Sequence, residues 1–277
     1  MSDQKSWFDS TINKRKILSL KEPVLSKWKL VEKLNEHVEQ RPEAKSHTSL
    51  ASARFLCRDA SRPANEATAY AYLRIVKQIP SERAEEADLV SRAREATQFT
   101  PPELKAYKAL AQKGSTNTPK LLAWEQGTQD STGPMPGGHI TWIVFEKLEG
   151  LTLGDDDEAS SYWALPSETR KSIRSVFLRE FKSVKTTSIS MDDIDTSMTI
   201  SKAAEIGILP VAPGPHNVIW NAEKETIHFV GFRDPEFFQR KREAGNELFP
   251  LFGLAKAPRG DRWAERDWDG DTSKWKF

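Results

Sequence analysis

The sequence of 277 residues contains one cysteine, Cys57. A single cysteine cannot close an intramolecular disulfide or build a zinc site from several thiolates, and it suits a reducing compartment. Lysine plus arginine number 41 and aspartate plus glutamate number 40. The resulting net charge of +1 gives no overall attraction to nucleic acid or anionic membranes, although it is compatible with a local basic patch.

Long apolar stretches are also absent. No run approaches the roughly 18 consecutive apolar residues that indicate a transmembrane helix, so we expect no membrane partner. The first residues, Met1 to Trp7, lack the charged-then-apolar order of a secretory signal. Together with the lone cysteine, these absences predict a cytoplasmic protein.

Residues 1–45 are predicted to form an N-terminal helical extension. Pro23 suits a first helical turn and Pro42 suits the end of the helix. The apolar residues between them recur every three or four positions, as on one helical face: Val24, Trp28, Val31, Leu34 and Val38. We expect this helix to dock on the main body of the protein; a helix that binds a partner is the alternative.

Residues 46–150 alternate between strand-like and helix-like patterns. Strands are predicted over 47–58 and 67–79, a helix from Thr100 through about residue 111, and further strands over 120–125 and 139–148. A loop rich in glycine and proline separates the last two strands. This β-β-α-β-β order indicates a mainly antiparallel sheet that carries one helix.

Residues 151–277 begin with an acidic loop and contain one clear helix. Ser167 is a candidate N-cap, and the stripe of that helix comprises Ile173, Val176, Phe177, Phe181 and Val184. A β-hairpin is predicted around the turn at 221–225. The tail from Leu248 to Phe277 is rich in tryptophan, proline, glycine and charge, and it shows no clear period.

This order of elements resembles the kinase-like fold of aminoglycoside phosphotransferases and protein kinases, with the best local match to fungal sequences. The resemblance covers about residues 47–235 and rests on the segments 103–110, 118–122, 136–150, 217–221 and 229–233. It implies an α+β fold with two lobes: a small antiparallel-sheet lobe with one helix over 46–150, and a compact, mainly helical lobe over 151–277. The cleft between such lobes is the expected ligand site.

Kinases hold the α/β-phosphates with a lysine on the third strand, paired with a helix glutamate. In the resemblance, Arg74 takes the lysine position and Glu103 is its candidate partner. Arginine keeps the charge and can pair with a carboxylate through two hydrogen bonds. Two interpretations stay open: an ion pair that ties helix to sheet, or a site for phosphate or another anion.

The catalytic loop departs from the family pattern at two carboxylates. Asn217 matches the metal-binding asparagine, but Ala212 stands five residues earlier, where the aspartate base is expected. Gly231-Phe232-Arg233 replaces the Asp-Phe-Gly motif, and Asp234 is out of register. An amide alone binds Mg²⁺ weakly. We therefore expect that Mg-ATP phosphotransfer has been lost, that neither ATP nor Mg²⁺ is a cofactor, and that there is no metal site.

His216, Asn217 and Arg74 are the candidate catalytic residues. His216 follows the predicted loop directly and could act as a general base without an aspartate. A histidine that packs against or caps the hairpin is the alternative. Cys57, near a strand end, is expected to be a small core residue rather than a nucleophile.

Substrate binding is assigned to residues near the expected cleft. An acidic rim could recognise a guanidinium or amine, or it could be a solvated loop. Two tryptophans could stack on a ligand. With the strand residue Glu146 and with Glu103, the assigned set is Glu103, Glu146, Asp155, Asp156, Asp157, Trp163 and Trp220.

Three functions stay open. The first is a transferase of natural-product biosynthesis. The sequence is similar in style to fungal arginine-containing cyclodipeptide synthases, which implies an aminoacyl substrate in the cleft and tRNA as a partner. The second is a non-catalytic pseudokinase that binds a ligand or acts as a scaffold, and the third is an atypical small-molecule phosphotransferase.

Overall fold

The structure is a computed structural model that describes residues 6–8, 16–40, 48–185, 207–210, 213–233, 235–238, 245–265 and 268–277. The described helices are α1 (Leu89–Ala93), α2 (Pro102–Gln112), α3 (Ser160–Trp163), α4 (Ser167–Lys185) and α5 (Leu248–Leu251). The strands are β1 (Ile17–Leu20), β2 (Ser26–Glu39), β3 (Leu50–Asp59), β4 (Tyr70–Gln78), β5 (Leu121–Thr128), β6 (His139–Glu146), β7 (Leu151–Thr152), β8 (Gly207–Pro210), β9 (Val218–Asn221), β10 (Thr226–Phe229) and β11 (Pro235–Phe238).

The chain divides into two compact units. Residues 1–104 and 120–147 form the first, and residues 105–119 and 148–277 form the second, so the boundary falls inside α2. The molecule is thus a mixed α and β protein built on antiparallel sheets with few helices. Within the described ranges, no helix combines the length and the apolar character that crossing a membrane requires.

The first unit is a six-stranded antiparallel sheet in the order β1-β2-β3-β4-β6-β5. Its two edges meet, because Glu22 and Trp124 exchange main-chain hydrogen bonds of 3.3 and 2.9 Å. One face of the sheet therefore encloses the core, where alternate strand residues are buried. These include Leu30, Ala53, Phe55, Cys57, Leu73, Ile75 and Val144.

The predicted N-terminal helix is wrong over residues 26–39, which form strand β2. Trp28 and Leu30 are buried in the core, whereas Lys27 and Lys29 next to them face outward, as the alternation of side chains along a strand requires. The pairing with β3 then shifts register twice, after Leu30 and after Lys33, and each shift interrupts the alternation of inward and outward side chains. Such bulges insert an extra residue, here Val31 and Leu34, so the apolar spacing resembles a helix although the strand as a whole is paired with β3. Within the rest of the predicted extension, residues 17–20 form strand β1, and residues 1–5, 9–15 and 41–45 lie outside the described residues.

Residues 6–8 close one end of the first unit's core. Trp7 and Phe8 are buried, and the Phe8 ring meets Phe55 edge-on at 6.4 Å. Lys77 is 3% exposed; its Nζ donates to the main-chain oxygen of Trp7 at 2.6 Å and lies 4.6 Å from the Phe8 ring centroid. Burial lowers the pKa of Lys77 to about 8, and the charge of Glu36 opposes that shift.

The second unit has an aromatic core around α4. Phe177 and Phe181 of α4 stack at 5.6 Å and meet Phe229 and Phe252 edge-on. Two small sheets accompany the helix, in the orders β10-β9-β7 and β11-β8. Among the described residues this unit combines α4 and most of α2 with one-turn helices and short strands, so the predicted, mainly helical lobe is not confirmed.

Candidate functional site

Arg74 and Glu103 lie in contact in the first unit. Arg74 is in the middle of β4, and Glu103 is in the first turn of α2, which begins after Pro101. Nε of Arg74 is 2.9 Å from Oε2 of Glu103, and the two side chains are 10% and 3% exposed. The contact joins the outer face of the sheet to the helix. Its part in ligand binding stays a prediction.

Glu146 lies at the end of β6. Its main-chain nitrogen donates to the oxygen of Lys120 at 2.9 Å, and its Oε2 accepts from the main-chain nitrogen of Lys120 at 3.3 Å. Both contacts extend the pairing of β5 with β6. They give Glu146 a role in strand pairing, while its predicted role in substrate binding stays untested.

The acidic segment of the second unit is an exposed turn. Oδ1 of Asp155 accepts from the main-chain nitrogens of Glu158 at 2.9 Å and Asp157 at 3.1 Å. The bond from Glu158 makes the larger contribution, and together the two bonds hold the pKa of Asp155 below its ordinary value. Asp156 and Asp157 are exposed. Asp155 thus shapes the turn, and the other two carboxylates are presented to solvent.

His216 faces this turn. Its Nδ1 lies 3.3 Å from the main-chain oxygen of Asp155 and 3.4 Å from Oδ1 of Asp156. The ring also covers Gly214, where an ideal Cβ would lie 2.6 Å from Cε1 of His216. With Nδ1 directed at oxygens, the tautomer protonated at Nδ1 leaves Nε2 as the acceptor. The structure therefore brings together His216 and the acidic turn, two features that the sequence predicted separately.

Asn217 is buried against the turn that follows β10. Its main-chain nitrogen donates to Gly214 and its oxygen accepts from Val230, at 3.1 and 2.9 Å. Gly231 has a φ of 87°. An ideal Cβ there would overlap Oδ1 of Asn217 and lie 2.5 Å from its Cγ. No side chain at position 231 fits beside this asparagine rotamer. The predictions for Ala212 and Asp234 lie outside the described residues.

The two tryptophans assigned to stacking have different surroundings. Trp220 is 5% exposed within β9, so its ring is packed inside the unit. Trp163 is half-buried, and its Nε1 donates to the main-chain oxygen of Gly253 at 3.1 Å. Cations surround its ring: Cζ of Arg170 and the Nζ atoms of Lys256 and Lys276 lie 5.0, 5.1 and 5.6 Å from its centroid. Ligand stacking by either ring stays a prediction.

Sequence reasoning did not find these three cations. Arg170 is in α4, whereas Lys256 and Lys276 are in the tail, where no periodic signal exists. An excess of cations over acids at the tail's end, in Lys274-Trp275-Lys276-Phe277, was the available hint. The bond from Trp163 to Gly253, the bond from Arg170 to Phe277 and the pairing of Lys256 with Lys276 hold the tail at Trp163.

Potential metal ligands are dispersed in the described part of the chain, and its cysteine is buried. No group of three or more His, Cys, Asp or Glu side chains there could hold a metal ion. Cys57 is fully buried, and burial raises the pKa of its thiol to about 12. A thiol with that pKa is a packing residue rather than a nucleophile.

Comparison with solved structures includes a weak likeness to a viral kinase. The structure of the Cydia pomonella granulovirus kinase PK-1 is similar at 10% sequence identity with a TM-score of 0.38. The match covers 76% of this chain and 52% of that kinase, so this chain spans about half the kinase's length. A likeness this low carries no argument about activity. No family model and no curated protein matches the sequence.

Proposed function

We propose that this protein is a kinase-like ligand-binding module that does not transfer phosphate from Mg-ATP. The observation that carries the proposal is the packing of Asn217 against Gly231. Kinases hold two Mg²⁺ ions with an aspartate and an asparagine. Here residue 231 is a glycine, and the asparagine amide in its present rotamer fills the space that a side chain at 231 would need.

The kinase-like part of the proposal draws on two further features. An arginine on a central strand pairs with a glutamate in the first turn of a helix, as the strand lysine and helix glutamate of kinases do. The asparagine precedes a short hairpin, β9 and β10, in the order that the family pattern has. These features are consistent with the scaffold of a kinase whose metal chemistry has been lost.

The test measures whether Mg²⁺ changes the response to ATP. Thermal unfolding is followed with ATP in EDTA and with ATP plus Mg²⁺, beside an assay for released phosphate. We expect equal Tm values in both ATP conditions, no phosphate release, and the same behaviour in Asn217→Ala. A Mg²⁺-dependent rise in Tm with phosphate release, both lost in Asn217→Ala, would contradict the proposal.

A second candidate is a transferase that uses His216 as general base. The observation in its favour is the contact of Nδ1 with Asp155 and Asp156, which leaves Nε2 to accept a proton. A carboxylate that orients a histidine in this way is part of many acyl-transfer sites. Asp156 is 91% exposed, so it holds the ring only weakly.

This candidate is tested in an expressing host. The culture medium is searched by mass spectrometry for arginine-containing cyclic dipeptides, and the purified protein is searched for bound tRNA. We expect a product from the wild type that His216→Ala abolishes and that Glu223→Gln, at an exposed position of the β9–β10 turn, retains. Absence of a product, or an equal yield from His216→Ala, rejects this candidate without affecting the first.

A further inference from the structure

Three cations and one indole form a cluster in the second unit, which we call the Trp163 cluster. It consists of Trp163, Arg170, Lys256 and Lys276, with the charged groups 5.0–5.6 Å from the ring centroid. The bond from Trp163 Nε1 to Gly253 fixes the ring. Cation–π contacts offset part of the cost of bringing the charges together. They cannot remove the repulsion among the charges.

The two lysines repel each other most directly. Lys256 and Lys276 are an antiparallel pair whose main chains exchange hydrogen bonds of 2.9 and 3.0 Å. Side chains of directly opposed residues lie on the same face, where like charges are destabilising. Both lysines are exposed. A ligand from solvent can therefore reach both ammonium groups.

Two arginines of this region add positive charge, and neither of them bonds to a carboxylate side chain. Arg170 donates to main-chain oxygens of Trp163, Leu165 and Phe277 at 3.2, 3.0 and 3.3 Å. Arg174 donates to the Tyr162 hydroxyl at 2.6 Å, and its Cζ lies 4.8 Å from the Phe277 ring centroid.

No Asp or Glu side chain of the described ranges forms an ion pair with Arg170, Arg174, Lys256 or Lys276.

We propose that the Trp163 cluster is a binding site for a phosphate group of a small molecule. Two ammonium groups act as point charges for phosphate oxygens, and guanidinium groups add directional donors. A bound phosphate would convert the repulsion between Lys256 and Lys276 into attraction to a shared anion. This site does not include Asn217 and goes beyond the proposed function, because it needs neither Mg²⁺ nor a phosphotransfer step.

The experiment measures pyrophosphate binding to the full chain by calorimetry at low ionic strength with EDTA present. The test variant is Lys256→Gln/Lys276→Gln. The matched control is Lys171→Gln/Lys274→Gln, which removes the same charge from exposed lysines outside the cluster. We expect saturable binding that weakens about tenfold or more in the test variant and stays unchanged in the control. Circular dichroism and Tm check folding, and Lys276→Gln alone replaces the pair if the double variant does not fold.

Two further titrations identify the source of the phosphate. ATP in EDTA that competes with pyrophosphate indicates a nucleotide ligand, whereas no effect of ATP indicates a smaller phosphate compound; both outcomes support the site. Absence of pyrophosphate binding, or equal affinity in wild type and test variant, overturns the proposal. Binding of an RNA oligomer without pyrophosphate binding also overturns it, because the surface would then recognise a polyanion rather than a single phosphate group.

Discussion

The amide of Asn217 occupies the volume that a side chain on Gly231 would enter. The two residues are joined by the β9–β10 hairpin, and the main-chain oxygen of Asn217 accepts from Val230, the neighbour of Gly231. Their closeness therefore follows from strand pairing. While Asn217 keeps this rotamer, position 231 has space for a glycine but not for a side chain.

The first prediction concerns replacement of Gly231 by alanine. The φ of 87° alone disfavours any side chain, and the overlap with Asn217 adds a steric cost. Gly270→Ala is the matched control, since its φ is 86° and nothing lies within 4 Å of its ideal Cβ. We expect Gly270→Ala to cost about 1 kcal/mol and Gly231→Ala at least about 2 kcal/mol more in urea unfolding.

The steric part of that cost can be isolated with Asn217→Ala. In a double-mutant cycle, Gly231→Ala should be cheaper in the Asn217→Ala background, because the overlapping amide is gone. Additive effects of the two substitutions would show that the contact does not exist in solution.

The second prediction concerns the buried pair Arg74 and Glu103. Arg74→Met removes the guanidinium that lies 2.9 Å from a carboxylate with 3% exposure. Loss of one partner of a buried ion pair costs about 3–5 kcal/mol, whereas replacement of both by apolar residues is often neutral. Urea unfolding should show a large loss for Arg74→Met and recovery of most of it in Arg74→Met/Glu103→Leu. Equal stability of wild type and Arg74→Met would indicate that the pair is exposed to solvent rather than buried.

The third prediction concerns the pH dependence that Lys77 confers. Its pKa falls to about 8 in the folded protein from an ordinary value of 10.5. Between these values the unfolded chain binds more protons than the folded one, so stability rises with pH; below about 8 the penalty for the buried charge is fully present.

Lys77→Met removes the titrating amine and, with it, this dependence of stability on pH. The free energy of unfolding of the wild type should gain about 1–2 kcal/mol relative to Lys77→Met between about pH 7 and pH 9.5. Lys27→Met, at an exposed position of the same sheet, should leave the wild-type pH profile unchanged. Parallel profiles for wild type and Lys77→Met would refute the predicted pKa.

The fourth prediction concerns Cys57. Its thiol is fully buried, and burial raises its pKa to about 12, so almost no thiolate exists at neutral pH. Alkylation by iodoacetamide should be negligible in the native protein and complete in urea. We expect the labelling rate to rise with denaturant concentration in parallel with global unfolding. Rapid labelling of the native protein would contradict the burial.

Helices and strands with a simple period could be predicted from the sequence. The apolar stripe of α4 predicts the helix correctly, because its side chains recur at the helical period and face one aromatic core. The β-strands around Phe55 and Leu73 were likewise marked by apolar residues and turn formers. β2 could not be predicted, because its two bulges give a strand the apolar spacing of a helix.

For the candidate site, the sequence determined which chemical groups are present: an arginine on a strand, one asparagine, a glycine in place of an aspartate, and an acidic segment. Only the tertiary structure decided which of them meet. Contacts between Arg74 and Glu103, His216 and Asp156, and Lys256 and Lys276 join residues between 20 and 60 positions apart. No local pattern encodes such pairs, because strand register and main-chain pairing, rather than sequence spacing, bring those side chains together.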